Sequence, residues 1–243
     1  MNPLMQNLAV DDAITNEQDV LGGGSVFESG LYNAVVSLAY MGVSDGGAVS
    51  VTVHLKTAEG REIRETHYVT SSTAKGGKNY YTTKDGEKKY LPGFNLMNSL
   101  SLLTVAKDLA NLQPEEKVVN LYSFDAKKEV PTKVQVLVEL LDKPICVGLL
   151  KQTVDKKTKN QAGEYVPTGD TREENTMDKF FRASDRKTTA EIRAGAAEGT
   201  FAAQWAEKWT GVTRDRTDKD AKATAGAPRA GGTAKPTQSL FAA

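Results

Sequence analysis

Residues 71–92 carry the clearest chemistry in the chain, because cationic and aromatic side chains alternate there along a glycine-containing stretch. The cations are Lys75, Lys78, Lys84, Lys88 and Lys89, and the aromatic residues are Tyr80, Tyr81 and Tyr90. Lysine ammonium groups neutralise phosphates and release counterions, while tyrosine rings offer faces on which unpaired bases stack. The segment therefore predicts sequence-tolerant binding of single-stranded nucleic acid. A solvated hairpin with tyrosines on neighbouring strands is the alternative interpretation.

A second basic stretch lies at residues 156–163 and contains Lys156, Lys157 and Lys159. We expect it to form a loop between two strands that also meets phosphates, with a merely solvated loop as the alternative. Arg64 and Tyr68, on a predicted strand just before the tyrosine-rich segment, are candidates to extend the same binding track.

Groups suited to catalysis are few. The chain has two histidines, His54 and His67, and one cysteine, Cys146, so a zinc site of histidine and cysteine ligands is not expected. The metalloprotease pattern HExxH and the phosphate-loop pattern GxxxxGK are absent from the sequence. We therefore predict a protein that is not an enzyme and that needs no metal or cofactor.

Three carboxylates supply the enzymatic alternative. A metal-dependent nuclease needs clustered acidic groups, and Glu173, Glu174 and Asp178 lie close together in sequence. They alternate with Arg172 and Lys179 near a predicted helix start, where acidic side chains also favour the helix dipole. The sequence favours this structural role and leaves the nuclease open.

The charge composition restricts how the chain can bind nucleic acid. Its 243 residues have a formal net charge of +0 at pH 7, so affinity for nucleic acid requires local segregation of charge. No lysine or arginine precedes Lys56, whereas basic residues concentrate in the two segments above. A lone cysteine, the lack of a secretory signal pattern and the lack of an apolar run of about 20 residues predict an intracellular protein.

The hydrophobic pattern predicts mainly strands. In residues 49–56 valine and leucine at odd positions alternate with polar residues, which predicts a strand whose even positions face water or a ligand. Further strands are predicted at 26–41, 61–70, 118–124, 133–141, 145–154 and 165–167, and a helix at 95–112. This order predicts an OB-fold-like antiparallel barrel with one inserted helix, although meanders with one helix also occur in unrelated α+β folds.

Residues 176–209 are predicted to be helical and to form an appendage. Thr188 and Glu191 have the spacing of a capping box, which begins a helix. Phe201, Trp205 and Trp209 recur every four residues and should form a stripe that packs on the barrel. The predicted organisation is a flexible arm at 1–24, a nucleic-acid-binding domain at 25–182, docked helices at 183–210 and a disordered tail at 211–243.

Residues 92–209 carry a resemblance to a known family. The segments LPGFNLMNSLSLLTVAKDLANL, EEKVVNLYSFDAKKEVPTKVQVLVELL, VGLLKQTVDKKTKNQAGEYVPTGDTREEN and FAAQWAEKWTG resemble the single-stranded DNA-binding proteins of tailed bacteriophages. The resemblance implies an oligonucleotide-binding barrel that protects and organises single strands during phage replication and recombination. It also implies that the protein acts in the cytoplasm of the bacterial host. Stacking and phosphate contacts serve DNA and RNA alike, so only the resemblance favours DNA.

The tail departs from that family. Related single-strand binders usually end in an acidic tail with a terminal aromatic residue, whereas residues 211–243 carry more basic than acidic residues and end Ser-Leu-Phe-Ala-Ala. Leu240 and Phe241 are candidates to dock on replication or recombination proteins. An interaction or structural protein that uses the aromatic helix and this tip, without binding nucleic acid, is a further alternative.

Overall fold

The computed structural model describes residues 26–123, 126–160, 163 and 165–217. The predicted arm at 1–24 and the tail from residue 218 onward, with Leu240 and Phe241, lie outside the described residues. In the described part of the chain no helix has the length and apolar character needed to cross a membrane.

The described chain is mainly β with few helices, which confirms the predicted class. The strands are β1 (Gly30–Val43), β2 (Val49–Thr57), β3 (Glu62–Tyr68), β4 (Tyr80–Thr82), β5 (Lys88–Tyr90), β6 (Glu115–Ser123), β7 (Lys128–Val136), β8 (Pro144–Lys159), β9 (Tyr165–Arg182) and β10 (Thr213–Asp215). The α-helices are α1 (Pro92–Val105), α2 (Thr189–Arg193) and α3 (Phe201–Trp209).

One sheet organises the molecule, in the strand order β3-β2-β1-β8-β9. β10 pairs with β8 on the same edge as β1, beyond the start of β1. β1 pairs with β2 along one edge, whereas its other edge pairs first with β8 and then, near Tyr40, with β7. A register shift between Val36 and Leu38 marks a bulge, which increases the bend of a strand shared in this way. All these pairings are antiparallel except that of β10 with β8.

No backbone ladder joins β3 to β9 in the described residues, so the sheet is not a closed barrel. A side chain spans the gap instead. The Thr176 hydroxyl donates to Glu65 Oε1 at 2.7 Å, and the Met177 amide donates to the other oxygen of the same carboxylate. Because β3 and β9 each run in the direction of β1, the two edge strands lie side by side and parallel across this seam.

The main core lies inside the curled sheet. Val53 and Leu55 of β2 and Phe180 of β9 are at most 1% exposed, and Met97 and Leu100 of α1 fill the same cluster. Full burial of each such side chain contributes about 1.5–3 kcal/mol relative to exposure. α1 therefore covers one end of the core, and its first residues are held in a fixed place beside β3.

The prediction that even positions of β2 face water is wrong for two residues. Ser50 and Thr52 are 7% and 5% exposed. Thr52 lies between Tyr40 of β1 and Thr66 of β3, and the two threonine hydroxyls are hydrogen-bonded at 2.8 Å. Small polar side chains between larger neighbours are thus covered although they lie on the outer face.

A second cluster attaches α3 to the outer side of β8 and β9. Trp205 is 4% exposed and packs with Cys146, Leu150 and Phe181. Gly148 makes room for the indole, because a Cβ there would lie 3.0 Å from it. Trp209 also packs against this cluster, as predicted, but Phe201 is 39% exposed.

The predicted helix over 176–182 is wrong, because these residues complete β9. Phe180 faces the main core and Phe181 faces the cluster beneath α3, so the strand is buried on both faces and shows no apolar–polar alternation. The predicted tail also begins too early. Residues 213–215 form β10, which pairs in parallel with Lys151–Thr153.

Candidate nucleic-acid interface

A cavity of about 600 Å³ lies between the end of β3, the β4–β5 hairpin and the start of α1. This volume is typical of ligand-binding pockets, which span about 300–1,000 Å³. We call it the tyrosine pocket. Its lining residues are Tyr68, Thr70, Ser71, Ser72, Lys75, Lys78, Tyr80, Tyr81, Thr82, Leu91, Pro92 and Gly93. Five predicted binding residues thus meet here: Tyr68, Lys75, Lys78, Tyr80 and Tyr81.

Backbone hydrogen bonds hold the hairpin in place. The amide of Ser71 donates to the Lys78 carbonyl at 2.7 Å, and the amide of Leu91 donates to the Asn79 carbonyl at 2.8 Å. The amide of Thr73 donates to Gly46 in the β1–β2 turn at 2.9 Å. The tyrosines therefore project from a segment that is closed by its own backbone hydrogen bonds and tied to the β1–β2 turn at Gly46.

The tyrosine rings are accessible and lie beside cations. Tyr68 is 54% exposed and Tyr81 is 46% exposed. The half-buried ring of Tyr80 has the Nζ atoms of Lys88 and Lys78 at 5.2 and 5.7 Å from its centroid. An ammonium group at such distances is attracted to the ring face and also meets a phosphate near a stacked base.

Backbone at the start of α1 forms one wall of the tyrosine pocket, and sequence reasoning missed this contribution. A Cβ at Gly93 would lie 2.2 Å from the Tyr68 carbonyl oxygen, so only glycine permits this approach of α1 to β3. The sequence pattern at Pro92 and Gly93 predicts only the start of a helix. Tyr90, which pairs with Tyr80 across the hairpin, packs on Phe94 with ring centroids 4.9 Å apart and does not line the cavity.

The segment is positively charged on balance, with five lysines against Asp85 and Glu87. Lys84 lies exposed in the β4–β5 turn, and Lys89 is paired with Glu87 at 3.3 Å. An exposed pair of this kind is weak, with a typical contribution of about 0–1 kcal/mol, so Lys89 can exchange its partner for a phosphate at little cost.

Arg64 lies outside the tyrosine pocket. It is on the same outer face of β3 as Tyr68, and its Nη2 donates to the Tyr40 hydroxyl at 3.4 Å. It lines a separate cavity of about 360 Å³ with Phe27, Glu65 and Asn175 at the β3–β9 seam. Arg64 therefore lies four residues before Tyr68 on β3 and belongs to the cavity at the seam.

The second basic stretch is not brought to the tyrosine pocket. Lys156, Lys157 and Lys159 belong to β8, so the predicted loop over 156–163 is wrong for its first four residues. Leu149 is opposite Gly30, the first residue of β1, and Lys157 lies eight residues further along β8. That is roughly 25 Å at about 3.3 Å per residue, in the direction away from the end of β1 near β7. We call this exposed two-stranded extension of β8 and β9 the ribbon.

The ribbon repeats the chemistry of the tyrosine pocket on a smaller scale. All three lysines are exposed, and Lys159 Nζ lies 5.4 Å from the centroid of the Tyr165 ring, which is 66% exposed. Val166 and Pro167 oppose Thr158 and Lys157 across the ribbon. The sequence pattern predicts Tyr165 only as part of the strand at 165–167 and gives it no binding role.

The three carboxylates of the nuclease alternative do not converge. Glu173 is paired with Lys151 at 3.2 Å, and Glu174 accepts from Arg172 at 2.8 Å. Asp178 accepts from the Trp205 indole nitrogen at 2.8 Å. Each carboxylate has its own structural partner, and the described residues contain no group of three acidic, histidine or cysteine side chains placed to hold a metal ion. The geometry gives the nuclease no support.

Two further nucleophile candidates have structural roles. Residues 42–46 read GVSDG and so match the GxSxG pattern, but Ser44 lies in the β1–β2 hairpin turn, where its hydroxyl accepts from the Ala48 amide at 3.1 Å. The motif requires a strand–turn–helix context instead. Burial raises the pKa of the Cys146 thiol, which keeps it protonated and inert.

No known protein family matches this chain, and no curated protein matches it in sequence. The resemblance to phage single-strand-binding proteins therefore stays a prediction, and the geometry of the site carries the functional conclusion.

Proposed function

We propose that this protein binds single-stranded DNA without sequence specificity, and that it protects and organises single strands during phage DNA replication and recombination. The observation that carries the proposal is the tyrosine pocket, which Tyr68, Tyr80 and Tyr81 line together with Lys75 and Lys78. Ring faces and ammonium groups are the two elements that sequence-tolerant single-strand binders combine.

The polar lining supports tolerance of base sequence. Thr70 Oγ1 accepts from the Val49 amide at 2.9 Å, and Ser71 Oγ accepts from the Lys78 amide at 3.0 Å. These two hydroxyl oxygens already accept hydrogen bonds from the protein's own backbone. Readout of sequence needs donors and acceptors directed at those edges, whereas stacking accepts every base.

The sheet supports the barrel part of the proposal. Its strand order, β3-β2-β1-β8-β9, has β3 and β9 at its two edges, and hydrogen bonds of Glu65 link these edges, which is the pair that must meet to close a five-stranded oligonucleotide-binding barrel. We propose that the fold is a barrel of this type, in which Glu65 bridges the last gap. The β6–β7 hairpin and the helices after β9 would then be additions to it.

Affinity for labelled oligo-dT is expected to fall steeply with salt. If the five lysines of residues 71–92 contact phosphates, they alone contribute about −3.5 to the slope of log K against log salt, which is about 100-fold between roughly 50 and 200 mM. Fluorescence anisotropy at several salt concentrations measures this slope. The matching duplex is the control and should bind much more weakly. Failure of oligo-dT to bind at the lower salt concentration would refute the proposed function.

Removing the charge of the ribbon is expected to reduce the salt dependence without abolishing binding. Replacing Lys156, Lys157 and Lys159 together by alanine should make the slope smaller by about 2, because each lost phosphate contact removes about 0.7. The matched control is alanine at Lys117, Lys128 and Lys133 of the β6–β7 hairpin, which removes equal charge elsewhere. Equal effects of the two triple variants would show that net charge, and not contact by the ribbon, matters.

A further inference from the structure

The exposed side of α3 forms a second groove that combines lysines with aromatic rings. A cavity of about 280 Å³ lies between α3 and β9, lined in part by Lys179, Phe201, Gln204, Lys208 and Trp209. We call it the α3 groove. Phe201 is 39% exposed and Gln204 and Lys208 are exposed, so this side of the helix is open although Trp205 beneath it is buried.

Each accessible ring of the α3 groove has a lysine beside it. Lys179 Nζ lies 5.7 Å from the centroid of the Phe201 ring, and Lys208 Nζ lies 5.0 Å from that of Trp209. The same pairing occurs at Tyr80 in the tyrosine pocket. A ring face with an adjacent ammonium group suits a nucleotide, because the base stacks while the phosphate meets the cation.

Negative charge does not oppose an anionic ligand in the α3 groove. Asp178 is the single carboxylate in its described lining, and it accepts from the Trp205 indole at 2.8 Å with Arg214 at 3.7 Å. Glu207, the carboxylate within α3, does not line the groove. The groove therefore presents two lysines and no uncompensated carboxylate.

The α3 groove and the tyrosine pocket lie on neighbouring strands. Glu65 of β3 contacts Met177 of β9 across the seam, and both strands run in the same direction. Tyr68 follows Glu65 by three residues and Lys179 follows Met177 by two, so both lie at a similar height. Lys179 pairs with Gly148 beneath Trp205, and Tyr68 lies on the outer face of β3, so both are outside the sheet.

From this arrangement we infer that the α3 groove is a second contact for the same single-stranded nucleic acid, reached by a strand that leaves the tyrosine pocket past Tyr68 and crosses the β3–β9 seam. The inference rests on the proposed function. Phe201 and Trp209 supply stacking faces, and Lys179 and Lys208 bind phosphates. A long oligonucleotide binds at both sites, whereas a short one binds at the tyrosine pocket alone.

Intrinsic fluorescence tests the inference directly, because the chain has two tryptophans and Trp205 is buried. Oligo-dT of about 30 nucleotides should quench Trp209, whereas oligo-dT of about 6 nucleotides should bind without quenching. The shorter length lies within the roughly 4–16 nucleotides that one OB fold covers, and the longer one exceeds it. Replacing Lys179 and Lys208 together by serine should weaken binding of the long oligonucleotide about fivefold to tenfold. Binding of the short one should not change.

The matched control is serine at Lys117 and Lys128, which removes the same charge from the β6–β7 hairpin and should leave both affinities nearly unchanged. If both oligonucleotides bind but neither quenching nor a selective loss occurs, the α3 groove is not a nucleic-acid contact, and a protein partner would be the remaining occupant. If neither oligonucleotide binds the unsubstituted protein, the proposed function fails and the inference fails with it.

Discussion

Replacing Tyr80 and Tyr81 together by alanine is expected to weaken binding of oligo-dT by about 30-fold or more. Each stacked base contributes about 1–3 kcal/mol, so two lost stacking faces cost at least about 2 kcal/mol. Both rings line the tyrosine pocket, and the lysines that flank them stay in place. Anisotropy titration at two salt concentrations measures the effect. The loss should be similar at both, because stacking is not screened as phosphate contacts are.

Two controls make this experiment specific. Phenylalanine at both positions keeps the ring faces and should retain most of the affinity. Alanine at Tyr122 of β6 removes a tyrosine that is 47% exposed, close to the 46% of Tyr81, on a different part of the sheet. Unchanged affinity of the alanine double variant would contradict the stacking role, and a loss as large in the phenylalanine variant would assign the energy to the hydroxyl groups.

The sequence is sufficient to predict features that depend on residues close together along the chain. The alternation in residues 49–56 gave β2 within one residue, and the spacing of Thr188 and Glu191 gave the capping box that begins α2. The lysines and tyrosines of residues 71–92 are binding candidates by their types alone, and the structure brings Lys75, Lys78, Tyr80 and Tyr81 to one cavity.

Long-range features could not be predicted in the same way. The stretch around Lys156 lacks apolar residues, a pattern typical of a loop, but an exposed ribbon is held by backbone pairing with the partner strand, here at Thr158 and Val166. The glycine wall of the tyrosine pocket depends on contact between Gly93 and Tyr68, which lie on different elements. The Glu65 bridge across the seam joins residues more than 100 positions apart.

Glu191 should be a sensitive polar residue of the C-terminal helices, because its carboxylate joins α2 to α3. Thr200 and Phe201 are at the start of α3, and one carboxylate oxygen accepts from their amides at 2.7 and 2.8 Å. The other accepts from the amide of Thr188 at 2.8 Å, which completes the capping box of α2. Hydrogen bonds to a charged group contribute about 1.5–3 kcal/mol each. Glu191→Gln keeps the shape but loses the charge, and should lower the free energy of unfolding by about 2 kcal/mol or more.

The pH dependence of the free energy of unfolding tests whether the charge of Glu191 causes this loss. Burial raises the pKa of Glu191, but the hydrogen bonds from Thr188, Phe201 and Thr200 outweigh it and lower the pKa from 4.5 to about 2. Because the folded pKa is the lower one, the contribution is complete above pH 4.5 and is lost as the pH falls toward 2. The stability difference between the unsubstituted protein and Glu191→Gln, from urea unfolding, should therefore be constant near neutral pH and shrink below pH 4.5.

Comparing variants at each pH removes the contribution of Asp185, whose pKa is also lowered to about 2, first by its hydrogen bond with Arg182. Glu198→Gln is the matched control, since this exposed carboxylate lies in the same connection between α2 and α3. A stability difference that stays the same down to pH 3 would mean that shape, and not charge, holds the helices together. Loosening α3 should also weaken binding of long oligonucleotides if the α3 groove contacts them, because Phe201 depends on Glu191 for its position.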